Sequence, residues 1–380
     1  MNVYPIDVDA PVESLKGGYL SIAKQLLNIH AASGGRGSDP YDPSPRVHPM
    51  AEGKYLSSVA ALVNAGLLSS QSSVEVERAI DRIEESAIHF HNGDSLGWGL
   101  NFAWKDHDVS QAFVITSALV LRGLCEISLA VPQVAQRARE LIFPSLEWLT
   151  SDEVLVEKDG YRLPKYGTGD PTVVNNVVAQ WSRALSEAPG VDHELYRLAV
   201  EGARYVESNH IEGVGWQYSE DNNVVDLVHT AYIAEALLPL KEHLGGELDI
   251  WISEALLIFG EGATFADTCR VLSSREALRL AQPSAATRTR VVGRYALVGF
   301  QRPARDWSVG ALLSVACDLA CTDLAPFWLA ESKRISRLAL STFSQVRYPR
   351  HAMHGAEGIA KYASIVENLR SAERAELPKV

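Results

Sequence analysis

Cysteine is scarce, four in 380 residues, too few for a disulfide framework in a chain of this length. Cys317 and Cys321 stand one helical turn apart, but their neighbours Leu312, Leu313, Val315, Ala316, Leu319 and Ala320 are apolar, which predicts ordinary buried thiols. Long hydrophobic runs are missing as well. The most apolar windows, 112–121 and 232–240, are broken by Thr116, Ser117, Glu235 and Pro239, and neither reaches the roughly 18 to 20 apolar residues of a membrane span. The opening MNVYPIDVDA has no basic segment followed by an apolar stretch, so no secretory leader is expected and a cytoplasmic location is the expectation. Net positive charge is absent: the formal balance is -12, which argues against a general nucleic-acid binder. Metal-ligand spacing is absent too. His89-x-His91, Asp106-His107-Asp108 and the His351/His354 pair have donor atoms but match no zinc or calcium pattern, so neither a metal nor a cofactor is expected. Gly34-Gly35-Arg36-Gly37 has no GKS/T after it, and with Pro40, Pro43, Pro45 and Pro49 following, residues 33–49 read as a Gly/Pro-rich connector or rim loop.

What is present is core and helix. The chain is 47% hydrophobic and 22% charged, as in a soluble protein with a large interior. Over 74–88, Val76, Ile80, Ile83 and Ala87 recur at three- and four-residue spacing, with Glu75, Glu77, Arg78, Asp81, Arg82 and Glu85 on the other face. Leu195, Leu198, Ala199, Gly202 and Val206 repeat that pattern over 192–208. By contrast 113–124, 177–185, 233–240 and 309–320 are apolar nearly all round and belong inside a fold. The alternation predicts inner helices screened by outer ones. Strand signals are few; 155–157 and 161–163 flank Lys158-Asp159-Gly160, a hairpin turn, and such pairs read as loop decorations. No strand–helix alternation supports a parallel sheet.

Three segments share an order: an aromatic loop, a polar cluster, then an apolar helix carrying Ala-Leu. The first runs from Gly97-Trp98-Gly99 through Trp104 and Asp106-His107-Asp108 to Ala118-Leu119. The second runs from Gly160-Tyr161 through Tyr166 and Asn175-Asn176 to Ala184-Leu185. The third runs from Gly213-Val214-Gly215-Trp216-Gln217-Tyr218 through Asp226 and His229 to Ala236-Leu237. Residues 48–59 and 302–313 are further members at the two ends. Spacings of this size mean stacked helical hairpins. Closed on themselves they make an all-α fold, an α/α toroid of about six or seven hairpins with short β-hairpin decorations, and residues 1–380 are expected to form one such domain.

The segments Gly97-Trp98-Gly99, Val228-His229-Thr230-Ala231-Tyr232 and Glu235-Ala236-Leu237-Leu238 resemble the toroid domains of glycan-processing proteins, among them glucuronyl C5-epimerase-like proteins and toroidal polysaccharide lyases, over about 96–240. The resemblance implies a carbohydrate-active enzyme acting on a uronic-acid-containing glycan by C5-proton abstraction, as a lyase or epimerase. It implies Asn175 or Asn176 as the group neutralising the carboxylate, and His229 with Tyr218 or Tyr232 as proton handlers. The bottom-up reading of those residue types agrees: an amide or guanidinium steadies the enolate-like charge, and His or Tyr moves the proton. Asp226 is either part of this constellation or a helix cap.

For substrate binding, Trp98, Trp104 and Trp216 offer flat faces for sugar rings, or pack the toroid rim. Asp106 and Asp108 offer acceptors, and Arg294 offers a cation within the otherwise apolar 291–300, read as a helix. That arginine belongs to a basic stretch, 270–306, where eight arginines stand against Glu276 and Asp306. A glycan or other small-molecule substrate is therefore the expected partner, and no feature specifies an oligomeric state. Three alternatives stay open: a glycoside hydrolase using two loop carboxylates drawn from Asp106, Asp108, Glu220, Asp221 and Asp226; a terpenoid cyclase or prenyl-diphosphate-binding toroid, for which no DDxxD or DxDD cluster is found; and a non-enzymatic binding toroid.

Overall fold

The structure, a computed structural model, describes residues 12–69, 73–90, 93–103, 107–220, 222–245, 247–261, 264–273, 287–292, 295–303, 306–343, 346 and 348–376. In chain order the described helices are α1 (Val12–Ala32), α2 (Pro49–Asn64), α3 (Ser73–Glu85), α4 (Val114–Ala130), α5 (Ala135–Leu149) and α6 (Asn175–Ser186). They continue with α7 (His193–Ser208), α8 (Leu227–Leu237), α9 (Leu248–Leu257), α10 (Asp306–Leu319), α11 (Ala325–Phe343) and α12 (Pro349–Glu376).

The even-numbered helices form a closed inner ring. Each packs on the next, α2 on α4, α4 on α6, α6 on α8, α8 on α10 and α10 on α12, and α12 returns to α2. The odd-numbered helices screen them from outside, and α1, first in the chain, covers α12, last in the chain. This is the α/α toroid expected from the hairpin spacing, closed by six pairs. The division of labour follows the sequence: α4 is buried along nearly its whole length, while α7 buries one face, Leu198, Ala199, Gly202, Ala203, Tyr205 and Val206. Asp192 caps α7 by accepting the backbone N–H of Leu195 at 2.8 Å. Two ring contacts are backbone on backbone. A Cβ on Gly123 would lie 2.3 Å from the Gly53 carbonyl oxygen, and one on Gly358 would lie 2.6 Å from that of Gly310. Glycine alone lets α2 meet α4, and α10 meet α12, this closely.

Because inner helices alternate with outer ones, all six inner N-termini point to one end, and the connections that precede them form the rim there. The strands are on these connections. β1 (Arg36–Asp39) and β2 (Asp42–Val47) pair antiparallel within 33–49, so that stretch is a hairpin rather than an extended connector; Pro43 and Pro45 are tolerated because β2 has only one neighbour. β3 (Ile88–Phe90) pairs with β4 (Ser95–Gly97), and β5 (Leu155–Lys158) with β6 (Tyr161–Pro164). The latter is the hairpin expected from Lys158-Asp159-Gly160: Asp159 and Gly160 adopt φ of 53° and 81°, the twist of a tight two-residue turn.

One sheet exceeds a decoration. β7 (Val224–Asp226), β9 (Thr264–Ser273), β11 (Tyr295–Pro303) and β10 (Thr287–Val292) pair in that order, with β8 (Gly260–Glu261) on β9. The helix expected over 291–300 is therefore a strand hairpin, its apolar run being the β-branched and aromatic residues of β10 and β11. Arg294 itself lies outside the described residues.

His210 gives the fold a pH dependence. Its ring stacks on Trp251 at 4.5 Å and packs on Trp216 at 5.0 Å, and burial pushes its pKa down to about 4. Burial also lowers His48 and His354. In the unfolded chain all three titrate at about 6.5. As pH falls below that value the unfolded state takes up protons that the folded state refuses, so stability falls with pH. Tm measured from pH 7.5 to 5 is expected to drop, and His210→Gln to flatten the slope. An unchanged slope in that variant contradicts this account.

Candidate active site at the N-terminal end of the inner ring

Each inner helix presents a stripe to the axis, and the stripes differ with depth. On α12 the stripe is Arg350, His354, Glu357 and Lys361, on α6 Asn176, Gln180 and Arg183 followed by Glu187 at its C-cap, at spacings of four, three and four. The lower layers are charged and closed. Arg122 of α4 donates to Glu235 of α8 at 2.9 Å and to Glu357 of α12. Lys54 of α2 reaches the same two carboxylates, at 2.5 Å for Glu357 and 3.6 Å for Glu235. Lys361 bonds Asp318 at 2.8 Å and Glu235 at 3.3 Å, Ser314 donates to Glu235 at 2.8 Å, and Arg183 donates to the Glu235 carbonyl at 3.0 Å. All six inner helices thus meet in one buried ionic floor. The cations around Glu235 hold its carboxyl well below the usual range against its burial.

Above this floor lies the mouth. Asp226 ends β7, held by pairing to Thr268 of β9, and its extended backbone makes it the cap of α8. One carboxylate oxygen accepts the backbone N–H of His229 at 2.9 Å; the other accepts from the His229 Nδ1 at 2.5 Å. The tautomer follows: Nδ1 carries the proton and Nε2 the lone pair, the arrangement of a general base oriented by a carboxylate. The Tyr218 ring packs on His229 at 4.7 Å, and the Tyr218 and Tyr166 hydroxyls hydrogen-bond, with burial pushing the Tyr218 phenol far up.

One turn further along α8, Tyr232 bonds His354 of α12. The Arg350 carbonyl can only accept, so the His354 Nδ1 at 2.7 Å donates to it, and the neutral ring's Nε2 must accept the Tyr232 hydroxyl. Burial, then the Lys54 cation, keep His354 neutral by driving its pKa well down, while burial raises the Tyr232 phenol. Beside this pair the Arg350 guanidinium lies 4.6 Å from the Trp307 ring and bonds Asp39 of β1 at 2.9 Å. His351 stacks on the same tryptophan at 5.5 Å. Asn176, on the first turn of α6, buries a side-chain oxygen with no hydrogen-bond partner among the described residues.

The expected site residues therefore divide. His229, Tyr218 and Asp226 come together, Asp226 both capping the helix and bonding the imidazole; Tyr232 lies one turn further along α8, buried against His354, and Asn176 is on the same end of the ring. Asn175 is committed to the fold instead: its amide nitrogen donates to the Gln217 carbonyl at 2.8 Å and its oxygen accepts from Asn209 at 2.9 Å. Trp98 and Trp216 are not sugar platforms. Both are buried, and each indole N–H satisfies a carbonyl in the last turn of an outer helix, Trp98 that of Ile83 at 2.7 Å and Trp216 that of Val206 at 2.8 Å. Asp108 is exposed and folded back on Ser110. Trp104, Asp106, Asp221 and Arg294 lie outside the described residues. Cys317 is buried as expected, whereas Cys321 is exposed. Among the described residues no helix is long and apolar enough to cross a membrane, and no cluster of three metal-ligating side chains occurs. The sequence reading weighed His354 only as a metal donor and gave no sign of Arg350, Trp307, Asp39 or the ionic floor.

No protein-family model matches the sequence, and no curated protein matches it. Solved structures do match, across nearly the whole chain. A family 76 glycoside hydrolase from a bovine Bacteroides thetaiotaomicron strain aligns with 93% of this chain and 78% of its own, at 10% identity and a TM-score of 0.58. A D-mannose isomerase aligns over 94% and 99%, at 11% identity and 0.56. The cellobiose 2-epimerase of Bacillus thermoamylovorans aligns over 84% and 86%, at 10% identity and 0.51. The fold is the α/α toroid. Within that toroid the site described above lies at the inner-helix N-termini, where the backbone dipoles of six helices present their positive ends.

Proposed function

We propose that this toroid is a carbohydrate-active enzyme that removes a proton from a sugar carbon next to a carbonyl group, as an epimerase or isomerase does. The observation that carries the reading is the Asp226–His229 pair, one turn along α8 from the Tyr232–His354 pair. His229 Nε2 takes the C–H proton, and the electron pair moves to the carbonyl oxygen as an enediol forms. The positive helix ends steady the developing oxygen charge. The Tyr232 hydroxyl turns its hydrogen from His354 to the carbonyl oxygen and recovers one from that oxygen in epimerisation or from the neighbouring hydroxyl in isomerisation. Return of the proton from His229 to the neighbouring carbon isomerises the sugar, whereas inversion has the bound enediol turn its other face to His229 before the same carbon is reprotonated. The names of two structural likenesses, an isomerase and an epimerase, fit this chemistry.

The uronic-acid form, with abstraction at C5, draws on the same base and needs a partner for the carboxylate. Asn176 supports it, while Arg350 is already paired with Asp39. Hydrolysis is less well supported by the site, although several of the structural likenesses are glycoside hydrolases, mannanases or glucanases. It requires one protonated carboxyl, whereas Asp39, Asp226, Asp108 and Glu220 each accept hydrogen bonds as carboxylates. The test is incubation in D2O with a panel of reducing sugars and of uronic-acid-containing oligosaccharides, followed by NMR. Deuterium at C2 of a reducing sugar is expected; deuterium at C5 of a uronate selects the second form. Cleavage of glycosidic bonds without deuterium at either carbon overturns the proposal.

A further inference from the structure

We infer that Lys54 and Arg122 are positioning residues for the Tyr232–His354 pair, acting as a double cationic clamp that joins α8 to α12 one turn beneath it. Tyr232 and Glu235 are three residues apart on α8, and His354 and Glu357 three apart on α12, so each carboxylate lies under one member of the pair. Both cations bridge both carboxylates, Arg122 from α4 and Lys54 from α2. Two independent bridges between the same two helices fix their separation at the height where the phenol meets the imidazole. The Lys54 ammonium also lies 5.8 Å from the Tyr232 ring centroid, so it acts on the pair directly as well as through the helices.

The electrostatics point the same way. Among the described residues the charged or titratable groups facing His354 are Lys54 from α2, Tyr232 from α8, and Arg350 and His351 from α12 itself; α10 contributes only the edge of Trp307. Lys54 is the foremost charge opposing protonation of His354. Removing it therefore does two things: it loosens the helix spacing, and it lifts one of the charges that oppose a proton on the imidazole, while burial and Arg350 still hold the His354 pKa down. The catalytic consequence rests on the proton-transfer reading; the clamp itself does not.

The test uses the full-length protein, labelled with 15N-histidine, and follows the ring nitrogens of His354 from pH 8 to 5. In the wild type His354 is expected to stay neutral throughout. In Lys54→Met the His354 ring-nitrogen shifts are expected to change as the Tyr232 hydrogen bond to Nε2 loosens, and in Lys54→Arg to return toward the wild type. With a substrate identified by deuterium exchange, Lys54→Met should lower kcat about tenfold with KM within about twofold, the pattern of a lost transition-state arrangement. If Lys54→Met does not fold, Lys54→Met/Glu357→Gln removes a cation and an anion together, and because the bridge is lost in it too, the same change in the His354 ring-nitrogen shifts is expected. A folded Lys54→Met variant whose His354 ring-nitrogen shifts match the wild type from pH 8 to 5 overturns the clamp. Full turnover in His229→Gln overturns the proton-transfer reading and leaves the clamp standing, so the two failures are distinguishable.

Discussion

His229→Gln is expected to reduce turnover about a thousandfold, the scale of a lost general base, with little change in Tm. Glutamine keeps a polar head at the mouth but has no basic nitrogen at the Nε2 position. Because the cap of α8 is made by the Asp226 side chain and the backbone N–H of residue 229, the substitution leaves helix capping intact. Asp226→Asn tests the same pair from the other side. It removes the charge that fixes the tautomer, and its amide nitrogen donates where the carboxylate accepted, so a loss of about a hundredfold or more is expected. Tyr232→Phe and His354→Gln should each impair turnover without adding to one another, since each breaks the same hydrogen bond. Each variant is assayed with whichever substrate shows carbon-bound deuterium. Wild-type rates for both His229→Gln and Tyr232→Phe would remove this constellation from the chemistry altogether.

The toroid was legible because its determinants are local. Each hairpin announces itself through one helix that is apolar all round and one that is amphipathic, and the spacing of such pairs implies ring closure. His229, Tyr232 and Asp226 were legible for a related reason, lying within a single short segment at a helix start. The axial stripes were not. Arg350, His354, Glu357 and Lys361 repeat at four, three and four residues, and such a polar stripe ordinarily marks a solvated face. Only closure of six helices turns it inward, and closure joins residues far apart in sequence, as Arg122 joins Glu357. The tryptophans failed in the opposite direction. Trp98 and Trp216 stand in loops as sugar platforms do, but the unpaired carbonyls that end α3 and α7 are a nearer partner for their N–H groups. Whether a loop indole faces solvent or a helix end depends on where that helix stops, and three-and-four periodicity fixes such boundaries poorly.

Arg122→Met is expected to destabilise the protein by about 3–5 kcal/mol, the cost of breaking a buried ionic cluster from one side. The size comes less from the lost attraction than from what remains. Glu235 and Glu357 would still face one another across the axis, with Lys54 the main cation shared between them. Methionine fills most of the volume, so little of the loss is cavity. The sign of the pH dependence separates this account from a packing defect. In the wild type the folded-state pKa of Glu235 lies below its unfolded value, so its contribution is present above about pH 4.5 and is lost as pH falls through the folded pKa. Without Arg122 the two carboxylates repel, one folded-state pKa rises, and protonation relieves the strain. The deficit of Arg122→Met relative to wild type should therefore shrink between pH 7 and 5, and Arg122→Met/Glu357→Gln should recover much of it at pH 7. Denaturant unfolding at both pH values, for the two variants and the wild type, measures this directly. A deficit that is equal at pH 7 and 5, and unrelieved by the second substitution, would make Arg122 a packing residue and the floor an assembly of independent pairs.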